Sequence, residues 1–243
     1  MWNDHGPSAS TVLEVYYAFK EGLPVVLASS WQAASRPQHL THGQFLESFD
    51  ALARRAPGEM LDRQIKSKGA VIARYVVPNT PWAEVKDQSG NGYDAFLVAG
   101  TVIAPLGSKG HNYTLRVVVD IQDKPSTILA GPDGSFGTVR VGDELTLAFK
   151  STNIDYPLLD YTLSLNGVMS TTEIILAGTE SRTSAWVNGD YVGDFLVQIA
   201  VTGTYEPMAF VAPVVMLGAS NARVREFTLW DGLQEVSRIL EYM

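Results

Sequence analysis

The chain has 243 residues, of which 46% are hydrophobic and 18% charged, so it is long enough for one large domain with a sizeable core. Its net charge of −8 argues against nucleic acid and anionic membrane surfaces as partners, because both select clustered Lys and Arg. The absence of Cys excludes disulfides and thiolate chemistry. The sequence contains no apolar run of about 18 residues, the length that a membrane-spanning helix needs, so it predicts no such helix.

Residues 1–66 have the periodicity of helices. Apolar side chains recur at helical spacing over 12–19 and again over 45–52, and Gly and Pro residues follow both stretches. Two such helices have little to bury against each other, so we expect them to dock on the rest of the chain or on another domain. No basic stretch and apolar run follow Met1, so we expect no signal peptide in this chain.

From residue 67 the periodicity changes to that of β-strands separated by turns, and 85–95 is rich in turn residues. Apolar and alternating patterns predict strands at 70–77, 95–103, 113–121, 127–130, 137–141, 145–150, 159–165, 173–177, 208–217 and 223–230. Residues 233–243 have helical spacing and predict a short closing helix. Many short strands with regular turns predict an antiparallel sandwich or barrel.

Residues 183–195 predict a β-hairpin. Asn188-Gly189 supplies two adjacent residues that tolerate positive φ, as a type I′ turn requires. The resulting register pairs Val187 with Asp190, Trp186 with Tyr191, and Ala185 with Val192. Trp186 and Tyr191 should therefore lie side by side on one face of the hairpin, with Ala185, Val187 and Val192 on the other.

Three segments resemble the laminin-G-like version of the concanavalin-A-like jelly roll. They are 85–95, the hairpin core Trp186-Val187-Asn188-Gly189, and the ending Val224-Arg225-Glu226-Phe227-Thr228-Leu229-Trp230-Asp231-Gly232. In that family a strand, a Val-Asp/Asn-Gly turn and a final strand followed by Trp/Tyr-Asp occur in this order. The resemblance covers 67–243 and implies a mainly β, antiparallel concanavalin-A-like jelly-roll sandwich, preceded here by an N-terminal α-helical segment.

A second resemblance involves the first residues of the chain. The sequence Trp2-Asn3-Asp4-His5-Gly6-Pro7-Ser8-Ala9-Ser10-Thr11-Val12-Leu13-Glu14 resembles the end of the catalytic barrel in fungal family 20 glycoside hydrolases, the β-N-acetylhexosaminidases. A laminin-G-like domain follows the barrel in those proteins. The resemblance implies that 1–66 is a helical remnant of the end of a TIM-type barrel and that 67–243 is the sandwich.

The family's chemistry predicts that this chain is inactive alone. Its members use the substrate's acetamido oxygen as nucleophile, assisted by an adjacent Asp-Glu pair on an earlier barrel strand. That pair is absent, and Asp143-Glu144 lies at a predicted strand start in the β half, so we assign no catalytic residue. The resemblance implies that Trp2 walls the sugar pocket and Asp4 holds a sugar hydroxyl, although Trp-Asn-Asp departs from the commoner Trp-Gly-Glu; the alternative is a frayed terminus.

Exposed aromatic side chains in the β half are candidates for glycan binding, because a sugar's C–H face fits an aromatic plane. Trp82 and Tyr93 lie in or beside turn-rich sequence and are our candidates for stacking on glycan. Trp186 and Trp230 lie inside strand patterns, which favours core packing for both.

The loop containing Asp87, Asn91 and Asp94 supplies oxygen ligands of the kind that calcium prefers. Its spacing differs from that of an EF-hand and favours an Asx turn instead. The four histidines are scattered, and no Gly-rich phosphate loop opens a helix, so we predict no metal site and no cofactor.

Together these patterns predict the C-terminal fragment of a β-N-acetylhexosaminidase-like hydrolase, with the sandwich as an accessory domain. The expected partners are a glycan containing N-acetylhexosamine and the missing catalytic barrel. The alternatives are a free-standing, lectin-like carbohydrate-binding module and a purely structural domain. The family resemblance implies an extracellular or secretory location, for which Asn112-Tyr113-Thr114 supplies one glycosylation sequon.

Overall fold

The computed structural model describes residues 41, 43, 63–132, 134–150, 155–165, 169–198, 203–236 and 239. The strands in these ranges are β1 (Val71–Val76), β2 (Trp82–Val85), β3 (Ala95–Val98), β4 (Thr101–Ile103), β5 (Ser108–Lys109), β6 (Tyr113–Gln122), β7 (Ser126–Gly131), β8 (Gly134–Val141), β9 (Glu144–Lys150), β10 (Asp155–Pro157), β11 (Met169–Gly178), β12 (Thr183–Val187), β13 (Asp190–Asp194), β14 (Leu196–Gln198), β15 (Tyr205–Pro207), β16 (Ala212–Pro213), β17 (Met216–Ala219) and β18 (Ala222–Asp231).

Two large antiparallel sheets form the sandwich. The six-stranded sheet has the order β1-β18-β6-β11-β12-β13, and the eight-stranded sheet has the order β10-β9-β8-β7-β17-β4-β3-β2. Two short ribbons, β14 with β15 and β16 with β5, complete the strand pairing of the described residues. The predicted fold class, a mainly β, antiparallel jelly-roll sandwich, is confirmed. The predicted N-terminal helical segment, with Trp2 and Asp4, lies outside the described residues.

The core lies between the inner faces of the two sheets. Alternate residues of β6, from Tyr113 to Ile121, are fully buried and point into it, as the period of two predicts. A group of aromatic rings fills one region: the ring centroids of Phe149 and Phe210 are 4.3 Å apart and nearly parallel, and Phe195 meets Phe149 edge-on at 4.9 Å. Burying each of these rings contributes about 1.5–3 kcal/mol.

Three strand predictions are corrected by the structure. The segment 95–103 is a hairpin rather than one strand, because Ala99 and Gly100 both have positive φ and turn the chain between β3 and β4. The segment 208–217 is broken into β16 and the start of β17. The segment 159–165 is not a strand, and it follows the short strand β10.

The hairpin of β12 and β13 confirms the predicted turn and most of the register. Asn188 and Gly189 have φ of 51° and 90°, and Trp186 pairs with Tyr191. The predicted pair of Ala185 with Val192 is wrong, because the register shifts and Ala185 pairs with Gly193. Val192 is therefore the extra residue of a β-bulge, which Gly193 accommodates with a φ of 133°.

The C-terminal segment returns to the six-stranded sheet. The amide of Gln234 donates to the hydroxyl of Thr114 on β6 at 2.9 Å. The amide of Ile239 donates to the carbonyl of Glu235 at 3.2 Å, which is the hydrogen bond of a helical turn in the segment predicted as a closing helix. In the described part of the chain, no helix has the length and apolar character that a bilayer crossing requires.

Candidate functional site

An exposed aromatic and apolar surface lies on the outer face of the eight-stranded sheet, at its β2 edge. We call it the Trp82 face, and it consists of Trp82, Phe96, Val98, Ile103 and Met216. Trp82 is 65% exposed and Phe96 is 59% exposed, which is high for such large apolar side chains.

Strand pairing explains why these side chains share one face. Trp82 on β2 opposes Val98 on β3, and Phe96 opposes Ile103 on β4. Because side chains alternate along a strand, Phe96 and Val98 point outward while Ala95 and Leu97 between them are buried in the core. Trp82 and Phe96 are diagonal neighbours on adjacent strands. The Cα atoms of such neighbours are about 7–8 Å apart, a distance that aromatic side chains can bridge.

The apolar row continues toward the middle of the sheet. Ile103 opposes Met216 on β17, and Met216 in turn opposes Ala130 on β7. Exposure falls along this row, from 59% at Phe96 to 38% at Ile103 and Met216 and 8% at Ala130. The accessible rings therefore lie at the β2 edge, and aliphatic side chains extend the surface inward.

A row of charged side chains borders the rings of Trp82 and Phe96 on the same face. Glu84 opposes Phe96, and the ammonium group of Lys86 donates to Glu84 Oε1 at 2.6 Å and to Asp94 Oδ2 at 2.7 Å. These two hydrogen bonds raise the pKa of Lys86 to about 12, and the one with Asp94 has the larger effect. The hydrogen bond from Lys86, followed by that from the Asp87 amide, lowers the pKa of Asp94. Lys86 and Asp94 therefore stay ionised at neutral pH beside an exposed aromatic pair.

The structure does not place Tyr93 next to Trp82. Tyr93 precedes β3, whereas Trp82 pairs with Val98 at the far end of that strand, about 16 Å away at about 3.3 Å per residue. The Tyr93 hydroxyl donates to the carbonyl of Lys66 at 2.6 Å, and its ring packs against the margin of the core. Trp82 and Tyr93 are therefore separate candidates, and only Trp82 has exposed aromatic and apolar neighbours on its face.

The loop containing Asp87 forms the Asx turn that its sequence favours. One oxygen of Asp87 accepts the amide of Ser89 at 2.9 Å, and the other accepts the Ser89 hydroxyl at 2.8 Å. Asn91 uses its amide group to bind carbonyls of Val71 and Ile72. Within the described ranges, no group of three or more acidic or histidine side chains is placed to hold a metal ion.

Sequence reasoning missed the partners of Trp82. Phe96 and Val98 lie in the apolar segment 95–103, which the sequence pattern predicts as one strand. The signal was present, because residues 95–98 alternate between core and surface once the turn at Ala99-Gly100 is recognised. Chemically, the resulting face offers apolar planes for stacking next to Glu84 and Lys86, whose charges strengthen hydrogen bonds to a ligand's hydroxyl groups.

No protein-family model matches the chain, and no curated protein does. Solved structures are similar in fold at low sequence identity. The sialidase of Trypanosoma rangeli, in complex with 2-keto-3-deoxy-D-glycero-D-galacto-2,3-difluoro-nononic acid, is 14% identical with a TM-score of 0.43, and the alignment covers 81% of this chain and 39% of the sialidase. This chain thus spans about two fifths of the sialidase.

Two further similar structures come from other kinds of protein. Domain 4 of AbnA, a GH43 extracellular arabinanase from Geobacillus stearothermophilus solved with arabinotriose, is 13% identical with a TM-score of 0.43, covering 72% of this chain and 98% of that domain. The binding domain of botulinum neurotoxin DC, in complex with rat synaptotagmin II, is 13% identical with a TM-score of 0.41. The alignment covers 71% of this chain and 51% of the toxin chain. These similarities concern the architecture of the β-sandwich and not the side chains of a site.

Proposed function

We propose that this chain is a carbohydrate-associated accessory β-sandwich that binds glycan at the Trp82 face. The observation that carries the proposal is the pair of exposed rings, Trp82 and Phe96, held as diagonal neighbours on a rigid sheet. An oligosaccharide would lay its C–H faces on these rings, while Glu84, Lys86 and Asp94 at their border exchange hydrogen bonds with its hydroxyl groups. A neutral ligand suits this border, because its charges already balance to within one unit.

The proposed ligand class is a glycan containing N-acetylhexosamine, which follows from the resemblance of residues 2–14 to family 20 hydrolases. Titration of the 243-residue chain with chitohexaose, followed by tryptophan fluorescence, tests this proposal. We expect a saturable change that weakens about tenfold in Phe96→Ala, which removes one ring and keeps Trp82 as reporter. The control is Tyr205→Ala, which removes another exposed ring, on β15, and should leave the titration unchanged.

The outcomes separate the candidate functions. Binding whose affinity and number of sites stay unchanged in both Trp82→Ala and Phe96→Ala would place the glycan elsewhere and overturn the site. No binding at millimolar chitohexaose would favour the structural alternative, in which the aliphatic part of the face, Ile103 and Met216, packs on another domain.

We further propose that the parent protein is a family 20-like hydrolase and that this chain alone does not cleave its substrates. The family's adjacent Asp-Glu pair is not found in residues 1–66, and Asp143 lies in the turn between β8 and β9, with Glu144 starting β9. Release of chromophore from an aryl N-acetylglucosaminide by the purified chain would refute the predicted inactivity. An upstream reading frame that encodes a barrel with an Asp-Glu pair would support the parentage, and an in-frame stop close to the Met1 codon would indicate a truncated or repurposed product.

A secretory location is part of the same proposal. Asn112 is exposed at the turn before β6 with a φ of 59°, so its side chain is accessible for an attached glycan. Expression through a eukaryotic secretory pathway should give a mass shift that an endoglycosidase removes. Asn112→Gln should abolish the shift, and an unmodified secreted wild-type chain would argue against this location.

A further inference from the structure

A second group of ring and polar side chains lies on the opposite side of the sandwich. It occupies the outer face of the six-stranded sheet at its β13 edge, and we call it the Tyr191 cluster: Arg182, Ser184, Trp186, Tyr191 and Asp194. Ala185 and Val187 between these positions are buried in the core, so alternation along β12 directs the cluster outward. Tyr191 is 57% exposed, although it lies on a paired strand.

The ring of Tyr191 is fixed at two points. Its centroid is 5.3 Å from that of Trp186, in an edge-on arrangement with an interplanar angle of 60°. Its hydroxyl donates to Asp194 Oδ1 at 2.9 Å. Partial burial raises the pKa of the Tyr191 hydroxyl most, and this hydrogen bond raises it further, so the hydroxyl keeps its proton at neutral pH. An exposed ring that is already immobilised loses little entropy when a ligand stacks on it.

Asp194 organises the polar side of the cluster. Its side chain is 15% exposed and accepts hydrogen bonds from Tyr191, from the Ser184 hydroxyl at 2.6 Å and from Arg182 at 3.1 Å. The bulge at Val192 makes this possible, because it shifts Asp194 opposite Ser184 and onto the outer face. Three groups capable of binding a ligand are thereby held in one fixed array.

Arg182 supplies the donors that the cluster presents to solvent. Its side chain is 52% exposed, and its contact with Asp194 uses one of the five N–H groups of a guanidinium. Because Asp194 neutralises the charge locally, the array suits a neutral group that accepts hydrogen bonds better than a free anion. A hydroxyl or the carbonyl of an acetamido group on a ring lying over Tyr191 has this chemistry.

We propose that the Tyr191 cluster is a second glycan site, so that the sandwich holds one sugar chain on each of its two outer faces. The ligand class rests on the function proposed for the Trp82 face, whereas the location rests on the fixed ring and polar array described here. Because the two faces point away from each other, one short oligosaccharide cannot occupy both. The domain would therefore cross-link glycan chains, and its avidity for a polymer would exceed its affinity for a short oligomer.

Isothermal titration of the full chain with chitohexaose tests the second site. We expect two sites in the wild type, one in Tyr191→Ala, one in Trp82→Ala and none in the double variant. Arg182→Gln should weaken only the second site, about tenfold, whereas Tyr191→Phe keeps the ring and should retain more binding than Tyr191→Ala. Tyr205→Ala is the matched control for loss of an exposed ring.

The outcomes distinguish this proposal from the one on which it rests. A single site lost in Trp82→Ala and intact in Tyr191→Ala would overturn the second site and leave the Trp82 face standing. A single site that is lost in Tyr191→Ala and intact in Trp82→Ala would overturn the Trp82 face and leave the Tyr191 cluster standing. If the wild type gives no binding heat, and chemical shifts of the Trp82, Phe96, Arg182 and Tyr191 amides also stay unchanged with ligand, both proposals fall. Thermal unfolding of each variant verifies that a lost site is not a lost fold.

Discussion

The carboxylate of Asp87 accepts the backbone amide of Arg74 at 3.1 Å, and the Arg74 carbonyl accepts the amide of Gln88 at 2.8 Å. Arg74 lies on β1, which is an edge strand of the six-stranded sheet, while Asp87 follows β2 at the edge of the other sheet. Asn91 adds hydrogen bonds to two further carbonyls of the same strand. The loop therefore links the two sheets and covers groups that an open edge would expose.

Removing the Asp87 carboxylate should destabilise the domain. Asp87→Ala leaves the amides of Arg74, Ser89 and Tyr93 without the acceptor they now have, and we expect a loss of about 2–3 kcal/mol in the free energy of unfolding. Urea denaturation measures this loss. Asp123→Ala is the control, because its ion pair with Arg140 is exposed and should contribute less than about 1 kcal/mol. Equal effects of the two substitutions would contradict a linking role for Asp87.

The same carboxylate predicts a loss of stability in acid. Partial burial opposes ionisation of Asp87, but hydrogen bonds from Ser89, Arg74 and Tyr93 outweigh it and lower its pKa from 3.8. A carboxyl whose pKa is lower in the folded state than in the unfolded state stabilises the fold above the unfolded value and loses this contribution as pH falls through the folded value. The stability difference between the wild type and Asp87→Asn should therefore shrink below about pH 4. A difference independent of pH from 6 to about 2 would contradict the lowered pKa.

Local sequence patterns predicted the parts of the fold that depend on local chemistry. The Asx turn at Asp87 and the type I′ turn at Asn188-Gly189 follow from side chains with strong conformational preferences. The bulge at Val192 could not be predicted, because it depends on how β13 meets β12 rather than on a turn residue. The Trp82 face was predicted only at Trp82, since its other members come from three further strands whose neighbours are set by long-range pairing.

The turn at Ala99-Gly100 was missed for a related reason. Ala99 has a φ of 51°, a conformation that alanine adopts rarely, so the sequence carried only the weak signal of one Gly in an apolar run. The consequence reached the site, because this turn is what gives Phe96 and Ile103 a shared outer face. Tertiary pairing thus decided a local conformation that propensity alone disfavours.

Gly137 on β8 is predicted to tolerate no side chain. A β-carbon at this position would overlap the carbonyl oxygen of Ser126 on β7, and a backbone atom in a paired strand cannot move aside as a flexible side chain can. We expect Gly137→Ala to destabilise the domain by about 3 kcal/mol or more. Thermal unfolding checks this expectation, with Gly69→Ala as control, because a β-carbon there meets open space. A similar midpoint for both variants would show that β7 and β8 can separate at low cost.

The ammonium group of Lys109 is fully buried and lies 3.2 Å from the carboxylate of Asp231, at the end of β18. Burial lowers the pKa of Lys109, and the hydrogen bond and charge of Asp231 oppose this shift. The ammonium also donates to the carbonyl of His111 at 3.1 Å. Because a buried charge without its partner is unfavourable, Asp231→Asn should reduce the free energy of unfolding by about 1.5–3 kcal/mol.

A double-mutant cycle isolates the interaction between Lys109 and Asp231. Lys109→Met removes the charge and keeps a side chain of similar length. Asp231→Asn should therefore change the free energy of unfolding much less in the Lys109→Met background than in the wild type. We expect a coupling of about 0.5–3 kcal/mol, measured by urea denaturation at neutral pH. Since the ammonium is shielded from solvent, the coupling should persist at about 1 M salt, where exposed ion pairs are screened. Additive effects of the two substitutions would mean that carbonyl groups, rather than Asp231, hold the buried charge.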